Sequence, residues 1–245
     1  IPQASIVVIH TPYGKIVNAN DFKYDRQPTL GQKPNFDRLK ELGQEGVILL
    51  IVECLYAHES KKTPSESVAQ QMLKDVMLGV HAENRAMIVT TFSSHLARLK
   101  SIIEMGKKLN RKIVFVGRSL QKYVSAGENI ELIRFSDQIE MVRNRMYTEK
   151  TLKKVSASER DKYLLVVTGH QGEPRAVLSR MVRDELPFRF LPGDMVIFSC
   201  SVIPVETNQR NREKLEAQLQ QKKVRIFRDI HVSGHAARED LRDLL

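Results

Sequence analysis

From about residue 86 onward, short apolar runs alternate with longer amphipathic ones, and few folds accept that order. The runs at 86–91, 113–116, 164–167, 195–199 and 224–230 are four to seven residues of mainly Val, Ile, Leu, Met and Phe. Strands buried on both faces read this way, without polar alternation. Between them lie segments of helical period. Leu96, Leu99, Ile103 and Leu109 mark one such stripe, and 204–221 is a long polar helix. Strands joined by helices must cross over and pair in parallel, so the expectation is an α/β fold: a parallel sheet covered by helices.

Residues 1–65 read differently, as strands at 4–10, 15–20 and 46–52 joined by turns. Thr11-Pro12-Tyr13-Gly14 has hairpin chemistry. A short helix is expected over 37–42, with Gly43 as its C-cap. Ser65 should cap a helix whose apolar face carries Val68, Met72, Val76 and Val80, widened by Leu73 and Met77. The polar, basic stretch 148–162 reads as an exposed helix or connector.

The formal net charge of +10 over 245 residues favours a polyanionic partner, nucleic acid before an acidic membrane face. No stretch is apolar enough to span a bilayer. Cys54 and Cys200 both sit in strand-like runs and read as small buried hydrophobes of a reduced cytosol, not as a disulfide framework or zinc ribbon. The chain opens on Ile-Pro and ends shortly into a charged helix start, which suggests an excised fragment.

In a parallel sheet every strand is followed by a loop on the same edge, where ligands bind. Here those loops carry Phe92-Ser93-Ser94-His95, Gly117-Arg118-Ser119, Thr168-Gly169-His170-Gln171-Gly172, Ser199-Cys200-Ser201 and Ser233-Gly234-His235. Small residues let a backbone approach a ligand, and hydroxyls and imidazoles bond it. One such loop is usually only a helix cap; five on one edge predict a polar groove for an extended anion. Arg118 adds a fixed positive charge suited to phosphate.

Single residues say less. Asp21 at a strand end is most often a turn residue, and Glu53 after an apolar run must be paired if buried. His10 and His81 receive no role, and His58 beside Glu59 lacks any supporting ligand spacing. No P-loop, Cys-x-x-Cys pair, nucleophile elbow or His-x-His-x-Asp-His motif is present. From the residues alone, this is an anion-binding α/β domain without a complete catalytic set.

Asn-Asp-Phe-Lys-Tyr-Asp at 20–25, Thr-Pro-Ser-Glu at 63–66, Thr-Thr-Phe-Ser-Ser-His at 90–95, Thr-Gly-His-Gln-Gly-Glu-Pro at 168–174, Val-Ile-Pro at 202–204 and His-Val-Ser-Gly-His-Ala at 231–236 occur in one order. In that order they closely resemble the ribonuclease J family, its archaeal-type branch nearest. That family belongs to the metallo-β-lactamase superfamily and carries an inserted β-CASP domain. The resemblance implies a β-CASP parallel-sheet domain at 66–245 and, at 1–65, an edge portion of a metallo-β-lactamase αββα domain.

It also implies a metal-dependent 5′-to-3′ exoribonuclease acting on single-stranded RNA with a favoured 5′-monophosphate, in the cytoplasm and off the membrane; a homo-oligomeric parent stays open. By resemblance Asp21 is a metal ligand bridging two zinc ions, Glu53 supports the ligands from behind, and His235 reaches the scissile phosphate. His231, Val232, Ser233, Gly234 and Ala236 line the phosphate loop, and Ser93, Ser94, His95, Arg118 and His170 fall where RNA is expected. Around Glu53 this chain departs from the family's Asp-Ser-Thr-Asn, reading Glu53-Cys54-Leu55-Tyr56.

The family's histidine-rich metal motif is absent, and one retained ligand cannot hold a zinc ion that wants about four donors. The piece alone is therefore expected to be metal-free and inactive. The rival expectation is a non-catalytic module binding single-stranded nucleic acid, from a split or degenerate relative. A DNA-processing relative fits the motifs less well.

Overall fold

A computed structural model describes residues 4–142 and 144–245. It divides into two compact units, Ile1–Val68 with Val232–Leu245, and Ala69–His231.

In the first unit, β1 (Ile6–Thr11) and β2 (Gly14–Ala19) form the expected hairpin, with Thr11 paired to Gly14 across Pro12-Tyr13. Gly14 has φ of +137°, a backbone few other residues adopt, and a Cβ there would press to 2.5 Å from Ile48. Helix α1 (Phe36–Glu45) follows, and β3 (Val47–Val52) returns parallel to β2. Gly43 lies inside α1 and does not end it. The helix stops at Gly46, whose φ of +88° and N–H to the Gly43 carbonyl close the last turn.

Asn35 caps the other end of α1, its side chain accepting from the Arg38 N–H. One face of the sheet packs Ala19 and Val17 inward. On the other, Val7, Ile9, Leu49 and Ile51 are each about half exposed.

Residues 232–245 return to this unit, although the sequence pattern grouped them with everything after 65. Tyr56 bridges Ala237, Arg238 donates to the Ala57 and His58 carbonyls, and Asp240 accepts from the Thr63 N–H. The closing helix α8 (Arg238–Leu244) starts on this anchor.

The division between the units falls within α2 (Glu66–Gly79). Ser65 caps it as expected, accepting from the Ser67 N–H, and Asp25 accepts from the Glu66 N–H. Its buried stripe is Ala69, Leu73 and Met77; the expected Val68 is 45 % exposed, so the inward face is turned one residue on.

The second unit is a six-stranded, all-parallel sheet in the order β6-β5-β7-β4-β8-β9. Its members are β4 (Met87–Thr90), β5 (Lys112–Val116), β6 (Glu140–Val142), β7 (Tyr163–Val167), β8 (Met195–Phe198) and β9 (Arg225–Phe227). Crossovers are made by α3 (Leu96–Lys108), α4 (Arg118–Asn129), α5 (Arg145–Ser158), α6 (Val177–Val182) and α7 (Glu206–Gln221). Strands β4, β7 and β8 are buried at every residue, which is why they read as unbroken apolar runs.

Helix α5 covers 148–158 of the stretch expected to be exposed, yet Leu152 and Val155 are fully buried in the core beside Leu165 and Phe188. Cys200 is buried as expected. Cys54 is exposed, because it follows β3 outside any core. Among the described residues no helix is long and apolar enough to cross a membrane.

Candidate functional site

Register explains the first cluster. In the parallel β2–β3 pair, Ala19 lies opposite Val52, so the chain leaves both strands side by side, at Asn20-Asp21-Phe22 and at Glu53. Glu53 Oε1 accepts from the Phe22 N–H at 3.1 Å, and the Phe22 carbonyl accepts from the Ala236 N–H at 2.9 Å. Phe22 thereby draws the 233–236 loop to the strand ends, its ring packed with Ala19 and Ala236.

Glu53 Oε2 lies 2.7 Å from His235 Nδ1, and Thr63 Oγ1 donates to the His235 carbonyl at 2.7 Å. Asp21, Glu53 and His235 each offer one ligand atom, all within 4.8 Å of one another. The Asp21 carboxylate is exposed and makes no hydrogen bond or ion pair among the described residues.

Within the loop itself, Ser233 Oγ accepts from the His235 N–H, while the N–H groups of Ser233 and Gly234 bond no described group. Those two groups can bind an anion. Ala236 is buried and its N–H is committed to Phe22, so it ties the loop down and has no donor left for phosphate. Val232 is also buried. His58 is exposed and points to no other ligand except Glu59, at 4.0 Å.

The second unit gathers the other expected residues on the carboxyl edge of its sheet, as the parallel order requires. Thr91 Oγ1 donates to the Ser199 carbonyl, and the Ser93 and Ser119 hydroxyls lie 2.9 Å apart. Ser94 is exposed and His95 precedes α3 without a side-chain cap bond.

The His170 ring meets Phe92 edge-on at 4.4 Å, and His231 lies 6.3 Å from the same ring. Burial holds the His170 imidazole below its usual pKa; Glu173 opposes this and Arg212 reinforces it. Arg118, the first residue of α4, is exposed.

Three supports were not foreseen. Arg98 is fully buried and donates to the Ser199 and Ile230 carbonyls, beside His231. Arg212 donates to the His170 carbonyl, with its guanidinium 3.3 Å over the Phe198 ring. Thr63 belongs to the Thr-Pro-Ser-Glu motif at a helix start, which does not foretell its bond to His235. Nothing local marks Arg98, in a helix that reads as amphipathic, or Arg212, in one that reads as polar.

An all-parallel sheet whose strand ends carry hydroxyls, imidazoles and small residues, with a carboxylate–histidine cluster in a separate unit, defines an α/β protein with a candidate metal centre. The family described as "Ribonuclease J, beta-CASP domain" matches residues 83–215, and the chain belongs to that family. It is 47% identical over its full length to Ribonuclease J of Pyrococcus abyssi and 41% identical to Ribonuclease J of Methanocaldococcus jannaschii, covering 54% and 55% of those proteins. It is 34% identical to Ribonuclease J of Thermus thermophilus, covering 41% of it. The chain thus spans about half the length of these two archaeal relatives.

Proposed function

We propose that this chain supplies the RNA-gripping part and one corner of the metal centre of a zinc-dependent ribonuclease, acting 5′ to 3′ on single-stranded RNA with a 5′-monophosphate. The observation that carries this reading is the convergence of Asp21, Glu53 and His235 within 4.8 Å. Two carboxylates and an imidazole are donors that divalent zinc accepts. Asp21 is free to ligate, whereas Glu53 and His235 are bonded to each other, so the chain offers fewer than the roughly four donors a zinc ion takes.

When bound, the metal pair would supply a hydroxide nucleophile and polarise the phosphodiester. The chain's own residues do the rest. Glu53 turns the His235 ring so that Nδ1 faces the carboxylate and Nε2 is left for a phosphate oxygen. The Ser233 and Gly234 N–H groups hold the same phosphate.

The charge supports an RNA partner. The second unit carries 29 of the 39 Lys and Arg and 18 of the 29 Asp and Glu, a net +11, against −1 for the first. A cytoplasmic setting fits the two free cysteines, and a homo-oligomeric enzyme remains compatible. With an incomplete donor set, the 245-residue chain alone is proposed to bind RNA without cutting it.

That same charge division favours a second reading, a non-catalytic module for single-stranded nucleic acid, since the basic unit contains none of the three donors. The test mixes the chain with 5′-monophosphorylated single-stranded RNA, with and without zinc or manganese. Salt-sensitive binding without cleavage supports inactivity alone; metal-dependent cleavage overturns it, and absence of binding overturns RNA recognition. Cleavage by the product of the whole reading frame separates the enzyme from the module.

A further inference from the structure

We propose that the amino edge of the second unit's sheet, where its strands begin, binds the phosphate backbone of single-stranded RNA, separately from the strand-end loops on the opposite edge. The proposal rests on the reading of this chain as an RNA binder.

The unit's positive charge is sparse where the groove was expected. The loops at 91–95, 117–119, 168–172 and 199–201 hold one cation, Arg118, and no acid. At the other edge, register sets cations in a row. Leu164, Met87, Met195 and Arg225 form one rung across β7, β4, β8 and β9. Two residues earlier, the same rung holds Lys162, Arg85, Gly193 and Lys223, and the Gly193 N–H donates to the Lys223 carbonyl at 2.9 Å. Neighbouring strands lie about 5 Å apart, so the row runs about 15 Å.

Arg85, Lys162, Lys223 and the nearby Arg225 are exposed and make no ion pair among the described residues. Arg85 fills the one place in the row without a side chain: a Cβ on Gly193 would come within 3.1 Å of its Nε. The acids of these strand approaches are engaged elsewhere. Asp194 is buried against Arg160, Glu159 is bridged by Lys154, Asp161 accepts from the Asn84 N–H and Glu83 lies 3.6 Å from His81.

The row stands on a fixed base. Arg111, at the same level on β5, is buried and donates to the carbonyls of Ala82, Arg85, Arg160 and Tyr163. One guanidinium thus ties together the approaches to β4 and β7. Unmatched cations held in a row bind phosphates without reading sequence, and each phosphate neutralised releases counterions.

The test titrates the whole chain, over a salt series, with single-stranded RNA of about twenty nucleotides carrying either a 5′-monophosphate or a 5′-hydroxyl. R85A/K162A/K223A is expected to lower the salt slope by about 2, at roughly 0.7 for each of three phosphates, and to weaken binding about a hundredfold at 0.1 M salt. The loss should be equal for the two 5′ ends. R85K/K162R/K223R keeps the charge and should bind as the parent. K162A/K223A spares the Arg85 contact with Gly193 and should lower the slope by about 1.4 even if the triple variant unfolds. Lys74, Lys150 and Lys214 are exposed on helices without an ion pair, and K74A/K150A/K214A should cost less than about tenfold.

Parental affinity and slope in R85A/K162A/K223A overturn the surface and leave the phosphate-loop reading standing. An equal loss in K74A/K150A/K214A, which would make the charge effect diffuse, does the same. A loss confined to the 5′-monophosphorylated strand also overturns it. If the parent binds neither strand, the RNA reading itself falls, and this surface with it.

Discussion

Glu53 and His235, 182 residues apart in sequence, meet at 2.7 Å between Oε2 and Nδ1. The second carboxylate oxygen of Glu53 is taken by the Phe22 N–H, so the side chain is fixed at both ends and only 8 % exposed. With the carboxylate as acceptor Nδ1 is the donor, and Nε2 is the nitrogen not bonded to Glu53. Glu53 thus holds the His235 ring in place.

Glu53→Ala leaves the Phe22 N–H and the His235 Nδ1–H without their acceptor in a partly buried setting. A loss of about 2 kcal/mol of stability is expected, read from urea unfolding. Glu53→Gln keeps an acceptor for Phe22 and should cost less, but it removes the charge that fixes the ring. Its RNA affinity should fall with Ala's, while its stability does not. Equal stability losses in the two variants would reduce Glu53 to a scaffold residue.

The two cysteines separate cleanly. Burial pushes the Cys200 thiol up to about 12, against partial opposition from Arg212, whereas Cys54 is exposed. Since the thiolate is the reactive form, a disulfide reagent at mildly alkaline pH should label one thiol in the folded chain and a second only in denaturant. Peptide mapping should place the first label on Cys54.

The sheet of the second unit could be read from its apolar runs because β4, β5, β7 and β8 are buried on both faces. β6 could not: Glu140-Met141-Val142 is three residues long, with neither alternation nor a run. Helix α4 was hidden behind the reading of Arg118 and Ser119 as loop. Asp21 reads as a turn residue and Glu53 as a carboxylate in need of a partner; that they meet is set by the β2–β3 register, across an intervening helix, which leaves no local pattern. The return of 232–245 to the first unit hangs on backbone bonds from Ala237 and Arg238 to residues near 57–63, which leave no local pattern.

The loop at 169–174 is held by close approach. Gly172 has φ of +76°, and a Cβ there would sit 2.4 Å from the Asn211 carbonyl oxygen on α7. Backbone cannot yield as a flexible side chain does, so Gly172→Ala combines strain with a clash. A loss of about 3 kcal/mol is expected in thermal unfolding, with little change in labelling of Cys54.

His170 gives stability a pH dependence. Burial lowers its folded pKa beneath the ordinary 6.5, so below that pH the unfolded chain binds more protons than the folded one. The stability is therefore whole above about 6.5 and drains away as pH falls toward the folded value. His170→Asn should flatten the dependence below about pH 6.5 in urea titrations. An unchanged slope would mean that other groups carry it.

Arg98 has no exposed surface, yet its guanidinium reaches the Ser199 carbonyl and hydroxyl and the Ile230 carbonyl. Those groups lie where β8 ends and where the chain turns into His231, a turn strained at Asp229 with φ of +56°. A planar fork of donors can serve several acceptors at once; an ammonium on a flexible stem cannot hold the same geometry. Arg98→Lys should therefore cost about 2–4 kcal/mol, and Arg98→Met no less, because buried carbonyls then lack donors. If the role is to hold the His231 turn, amide exchange at 229–231 should accelerate in Arg98→Lys beyond the global loss of stability. Uniform acceleration across the sheet would instead make Arg98 a general core residue with no special hold on that turn.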